Sequence, residues 1–170
     1  MGAGKTTIAR RVAEIRRIDF ADLDNLIVAQ TGRSVPQIIA DNGEDGFRRI
    51  ETDALRTTLD ARPAHDFILA LGGGAWALEI NRELIRARGW LAIWLDAPFA
   101  LCWRRINRKP MLNFEHTRPL APDRFTAEER YLARLPLYAA ADIRINAELP
   151  PDEIAASIIA AARQTTKECL

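Results

Sequence analysis

The chain has 170 residues, 48% hydrophobic and 28% charged, with a formal net charge of +1. That length carries one domain with a sizeable core, and the near balance of charge supplies no field for nucleic acid or a membrane surface, so an acidic ligand would be met by local arginines. Two cysteines, Cys102 and Cys169, exclude a disulfide framework or a zinc site, no apolar run reaches the ~18 residues of a membrane span, and no signal-peptide core is present, so the sequence reads as a cytoplasmic protein without membrane or nucleic-acid partners.

The first element opens on Met1-Gly2-Ala3-Gly4-Lys5-Thr6-Thr7, the second half of the phosphate-loop pattern G-x-x-x-x-G-K-[ST]; the first glycine of that pattern would fall two residues upstream of Met1. Backbone N–H groups along Gly2, Ala3, Gly4, Lys5, Thr6 and Thr7 can wrap phosphate oxygens. Lys5 can reach the β- and γ-phosphates, and the Thr6 hydroxyl can ligate Mg²⁺. Apolar residues at helical spacing follow through Ile15, so a helix starts at the loop and turns its positive end toward the anion. The plainer alternative is an N-terminal helix with a solvated lysine. Such a loop is normally fed by an apolar strand, central in a parallel sheet and buried on both faces. Without that strand the chain is expected to be of low stability and low activity, because two strand edges and part of the core lie open.

A short strand over 18–21 leads into Asp22 and Asp24, and helices follow over 25–30, 34–41 and 44–59, the second capped by Ser34 with Gln37 as a capping box. An apolar strand over 67–71 ends in Gly72-Gly73-Gly74. A helix over 79–88, a strand over 91–95 and a helix from Pro98 through 106 come next. Residues 107–123 read as a loop rich in proline and arginine. A helix over 126–138, a strand over 143–145, a helix over 151–163 and a frayed tail over 164–170 complete the chain. Strands alternating with helices predict an α/β fold, a three-layer α/β/α parallel sheet, with active residues beyond the carboxyl ends of the strands.

Five groups of residues could carry chemistry. Asp22 and Asp24 follow a strand end, where one carboxylate can hold a divalent ion through its waters and the other can orient or deprotonate an attacking hydroxyl; an N-cap pair is the plain alternative. Arg48 and Glu51 are three apart on one helix face, a spacing that suits either a surface ion pair or an arginine held ready for a carboxylate. Three glycines after an apolar strand bring backbone close to a ligand. Arg134, near a proline at the end of its helix, can point into the cleft, or simply answer the helix dipole. Arg108, Lys109, Arg118 and Arg124 in or beside the 107–123 loop suit a lid that closes over a nucleotide and adds positive charge to the transition state.

In combination these residues resemble the shikimate kinase family: Gly4-Lys5-Thr6-Thr7, Phe20-Ala21-Asp22-Leu23-Asp24, Gly43-Glu44 with Phe47-Arg48-Arg49-Ile50-Glu51, Gly72-Gly73-Gly74-Ala75, Arg118-Pro119-Leu120 and Arg134-Leu135-Pro136-Leu137-Tyr138 with Ala141-Asp142 stand in that family's order along nearly the whole chain. The resemblance implies a nucleoside-monophosphate-kinase-like P-loop fold with a five-stranded parallel sheet, in one domain over 1–170 with a substrate-binding helical region about 25–59 and a mobile lid about 107–123. It implies ATP and Mg²⁺ as cofactors and shikimate as substrate, phosphorylated to shikimate 3-phosphate on the way to chorismate and the aromatic amino acids, by a monomer. By motif, Lys5 contacts the phosphates, Thr6 and Asp22 hold Mg²⁺, and Asp24 binds the attacking hydroxyl as base. Arg48 and Arg134 clasp the shikimate carboxylate, Glu51 orients Arg48, and Gly72, Gly73 and Gly74 line the pocket. Arg118 approaches the γ-phosphate and Arg105 packs on adenine. Lys109-Pro110-Met111-Leu112 competes with Arg118-Pro119-Leu120 for the lid motif; Arg118 keeps the arginine. The competing functions are a non-catalytic ligand sensor of a transcription regulator, a kinase of another small polyol such as gluconate, and an inactive fragment of the kinase.

Overall fold

The computed structural model describes residues 2–61, 66–107 and 123–168, with side chains through residue 164. Helix α1 (Lys5–Arg16) starts from Gly4, whose φ of 92° only glycine adopts readily, and buries Ile8, Ala9, Val12 and Ala13. Strand β1 (Asp19–Asp22) passes directly into α2 (Leu23–Thr31), with Asp22 as its N-cap. Helix α3 (Val35–Asp60) carries the expected capping box of Ser34 and Gln37 and is interrupted at Gly43 (φ 71°, ψ 175°), so the two helices read from the sequence abut at this glycine. Strand β2 (Phe67–Ala70), helices α4 (Gly73–Ala77) and α5 (Glu79–Ala87), strand β3 (Ile93–Asp96) and helix α6 (Phe99–Asn107) follow. Helix α7 (Arg124–Tyr138), strand β4 (Ile143–Asn146) and helix α8 (Pro151–Glu168) complete the described chain.

The strands lie between two helical layers, and their side chains sort by parity. Ile68, Ile93, Leu95, Ile143 and Ile145 pack with α1 and α8 around Ile8, Val12, Ile154 and Ile158. Leu69, Leu71 and Ala92 face the opposite way, onto Leu23, Ile27, Phe47, Leu55 and Trp76 of α2, α3 and α4. Alternation over strands covered on both faces is the mark of a buried parallel sheet.

Three features differ from the expectation. The strands form two separate parallel pairs, β1–β2 with Asp22 opposite Ala70 and β3–β4 with Asp96 opposite Asn146, and no ladder joins β2 to β3. An apolar cavity of about 870 Å³ lies between them instead. Gly73 and Gly74 open the short helix α4 and do not form a plain turn. Helix α8 continues to Glu168 through much of the supposed tail, whereas α7 ends at Tyr138 as read from the sequence, with Pro136 inside it. The 108–122 stretch with Arg108, Lys109, His116 and Arg118, together with His65 and Cys169, lies outside the described residues. No helix among the described residues is long and apolar enough to cross a membrane.

Candidate active site

The register of β1 on β2 builds the site. With Asp22 opposite Ala70, the segments leaving the two strands bring Asp24 and Gly72 side by side at the carboxyl end of the sheet. A β-carbon placed on Gly72 would stand 3.5 Å from Asp24 Oδ1 and 3.2 Å from Glu51 Oε1, so three separate segments converge on this glycine.

Asp22 does two jobs at once. Its Oδ1 accepts the Asp24 N–H at 3.1 Å as the α2 N-cap, and its Oδ2 accepts the Thr6 hydroxyl at 2.7 Å. The capping reading and the ion-holding reading are therefore compatible, because each oxygen serves one. The Thr6–Asp22 pair places two hard oxygens beside the loop that begins α1. Among the described residues no group of three His, Cys, Asp or Glu forms a metal cage. This donor set fits Mg²⁺, which keeps several waters and takes its other ligands from substrate phosphates.

The loop itself is tied to α6. Arg105 Nη1 donates to the Ala3 carbonyl at 3.2 Å and Nη2 to the Ala147 carbonyl at 3.1 Å. Gly2 has φ 73°, and any side chain there would run into the Cys102 carbonyl. Cys102 is buried, and burial pushes its thiol above the ordinary range, against the pull of nearby cations including Arg105 and Lys5.

The second half of the site is a buried ion pair. Glu51 is 1% exposed and accepts from Arg48 Nη1 at 2.7 Å, while Arg48 Nη2 donates to Glu44 at 3.1 Å. The Arg48 guanidinium lies 5.1 Å from the Phe47 ring centroid and against Gly74, where any side chain would overlap it. Burial pushes the Glu51 carboxyl above its ordinary range; Arg48 pulls it back, Asp24 adds to the rise and Arg134 opposes it. Burial would lower the Arg48 guanidinium, but Glu51 and Glu44 more than offset that and it stands above the ordinary arginine value.

Arg134 reaches the site from α7. The helix is held over α4 by Trp76 Nε1 donating to the Leu137 carbonyl at 2.9 Å and by the Tyr138 hydroxyl donating to the Gly73 carbonyl at 3.3 Å. Burial lifts the Tyr138 phenol above its ordinary range, while Arg134, hydrogen-bonded to it, pulls it down. Thus Thr6, Asp22, Asp24, Arg48, Glu51, Gly72–Gly74 and Arg134 form one continuous surface. Glu44 and Tyr138 were not assigned roles from the sequence. Glu44 stands four residues before Arg48 on the same face, a readable signal; the Tyr138–Gly73 contact spans 65 positions and has none.

A glycine loop opening a helix at Lys-Thr, a Thr–Asp oxygen pair beside it, and a buried Arg–Glu pair at the ends of parallel strands define a P-loop phosphotransferase built for a small anionic acceptor. The sequence profile described as shikimate kinase matches residues 1–163. A shikimate kinase of Ruegeria pomeroyi is 36% identical over 146 residues, covering 84% of this chain and 70% of that protein. One of Bordetella pertussis is 43% identical over 141 residues, covering 81% of this chain and 62% of its own. In structure the chain is similar to the shikimate kinase from Acinetobacter baumannii in complex with shikimate, with TM-score 0.85 and 32% identity over 97% of this chain and 89% of that one. The protein belongs to the shikimate kinase family.

Proposed function

We propose that this protein transfers the γ-phosphoryl group of ATP to a hydroxyl of shikimate, giving shikimate 3-phosphate and ADP. Family membership supports the reaction. The observation that carries it is the meeting of Asp24, the Arg48–Glu51 pair and Gly72, joined through Asp22 to Thr6 of the phosphate loop. Glu51 holds one edge of the Arg48 fork, and the rest of the guanidinium, with Arg134, takes the substrate carboxylate. Gly72, Gly73 and Gly74 let the substrate ring approach the backbone. Asp24 accepts the proton of the attacking hydroxyl, and Lys5 with the N–H groups of Gly2–Thr7 holds the transferring phosphates. Thr6 and Asp22 hold Mg²⁺, which when bound neutralises charge on the phosphate oxygens.

Arg105, fixed by two carbonyls beside the loop, presents its guanidinium plane to the adenine. Arg118, from a lid about 107–123, supplies charge to the γ-phosphate, and 25–59 is the substrate-binding region of a single domain. The protein acts as a cytoplasmic monomer on small molecules, without nucleic acid, a reading supported by the net charge of +1.

The test is Asp24→Asn, assayed for shikimate-dependent ADP release alongside Mg²⁺–nucleotide binding by calorimetry. The turnover is expected to fall on the order of 10²–10⁴-fold with nucleotide affinity retained. Near-normal turnover would remove Asp24 from proton transfer, and a parent protein that ignores shikimate but phosphorylates another hydroxy acid would overturn the substrate.

A further inference from the structure

Glu44 stands between two cations from different helices. Its Oε1 accepts from Arg48 Nη2 at 3.1 Å, and its Oε2 lies 4.0 Å from Arg130 Nη2 on α7. The first contact is a hydrogen bond within α3; the second is an ion pair still too long for one. Arg130 precedes Arg134 by four residues, one helical turn on the same face of α7. Glu44 therefore faces the helix that carries the second arginine of the site.

The two carboxylates on Arg48 are held very differently. Glu51 sits on Nη1 at 2.7 Å with its side chain 1% exposed, whereas the Glu44 side chain is 41% exposed. Glu51 is a fixed partner, because a buried carboxylate that left Arg48 would lose its charge partner without gaining water. Glu44 is an exchangeable one, with solvent and Arg130 both at hand. Gly43 interrupts α3 immediately before it, so Glu44 lies in the first turn of the second helical segment, where a carboxylate suits the exposed N–H groups. The Arg48 guanidinium is confined by Gly74, Phe47 and Glu51, so an arriving anion cannot draw it away. A ligand carboxylate at Nη2 would also repel Glu44 at short range. Of the groups at this nitrogen, Glu44 is the one free to give way.

We propose that Glu44 is a positioning residue for the acceptor: it holds Arg48 Nη2 as a stand-in carboxylate and passes to Arg130 when a ligand carboxylate takes that nitrogen. The inference rests on the reading that Arg48 and Arg134 clasp the carboxylate of the substrate. The hand-over keeps every charge paired, since Arg48 exchanges one carboxylate for another and Glu44 closes onto Arg130. It also couples binding to geometry, because a Glu44–Arg130 hydrogen bond draws α7 toward α3 and brings Arg134 onto the ligand. An acceptor without a carboxylate leaves Glu44 on Arg48 and α7 untied, so the device selects for an anion.

The test is a double-mutant cycle on the 170-residue chain, with Glu44→Ala, Arg130→Ala and both together. Shikimate affinity is read by calorimetry, and KM and kcat from initial rates. Arg130→Ala is expected to weaken shikimate about 3–10-fold in affinity and KM, with kcat within about twofold. In the Glu44→Ala background the same change is expected to cost less than about twofold, because no carboxylate remains to be handed over. Arg130→Lys should restore most of the affinity, since an ammonium can take one carboxylate oxygen. Both positions are partly exposed on helix surfaces, and matching melting temperatures confirm that each variant folds. An Arg130→Ala effect of equal size with and without Glu44 would reveal plain attraction between cation and anion and would overturn the hand-over. So would an Arg130→Ala protein that binds as the parent does, or one in which kcat alone falls. A parent that binds no shikimate would overturn the substrate reading and this proposal together; an additive cycle on a parent that binds it overturns the proposal alone.

Discussion

Glu51 is a buried carboxylate at the centre of the site, facing Arg48, Asp24 and Arg134. At 1% exposure its charge is held chiefly by Arg48, with help from Arg134, and removing the carboxylate leaves a largely buried guanidinium with Glu44. Breaking a buried pair costs about 3–5 kcal/mol where no other partner exists, and Glu44 places Glu51→Ala below that range. The pH dependence has a definite sign. The folded-state pKa of Glu51 is raised above its ordinary 4.5, so the folded form keeps a proton that the unfolded chain has already lost. Its contribution to stability therefore falls as pH rises from about 4.5 to the folded value, and is flat above it. Urea unfolding of the parent and of Glu51→Gln across that window should show the parent losing stability relative to the variant as pH rises; a parallel pair of curves would contradict the assignment. Gly74→Ala would push the Arg48 guanidinium off its seat. Shikimate kcat/KM should then drop on the order of 10–100-fold while the KM for ATP stays put, as read from initial rates with each substrate varied. The i,i+3 spacing made Arg48–Glu51 legible in the sequence, but not that the pair is buried; that follows from Gly72 and Gly74 packing on it from another segment.

At the scale of elements, short-range chemistry was readable and long-range support was not. The capping box is the clearest case: Ser34 accepts from the Gln37 N–H and the Gln37 side chain accepts from the Ser34 N–H at 2.8 Å. Ser34→Ala should cost about 1 kcal/mol in chemical denaturation, with little effect on turnover. Helix α4 shows the opposite. The glycine run reads as backbone brought close to a ligand and gives no helix signal, yet Gly73–Ala77 is helical, tied to the end of α7 by Trp76 and Tyr138, with Asn81 donating to the Ala75 carbonyl at 2.9 Å. Helix α8 outlasts its apolar pattern past 163, where polar residues and threonines argued for a frayed end.

For the whole molecule the separation of the two strand pairs matters most. One apolar cluster gathers α1, α6, α8, β3 and β4; the other gathers α2, α3, α4 and α5, with no backbone ladder between β2 and β3 to bind them. A sheet joined across its middle unfolds as one unit, whereas two clusters linked through helix packing can lose their structure separately. Far-UV circular dichroism, and tryptophan fluorescence of a Trp94→Phe, Trp103→Phe variant that keeps only Trp76 and Trp90 of the second cluster, should therefore give non-coincident urea transitions for this chain. Coincident curves would mean that helix α1, which touches β1, β2 and α8, is enough to make the clusters one cooperative unit.

The sequence by itself determined the phosphate loop at Gly4-Lys5-Thr6, the order of helices and parallel strands, the Ser34 cap, and the set of motifs that marks the family, because each is written in neighbours a few positions apart. Tertiary structure decided what those parts do together. It set Asp22 between Thr6 and Asp24, buried Glu51 under Gly72, brought α7 onto Gly73, and opened the slot between β2 and β3. These depend on contacts between segments tens of residues apart, whose geometry is fixed by how whole helices and strands pack and not by any local pattern.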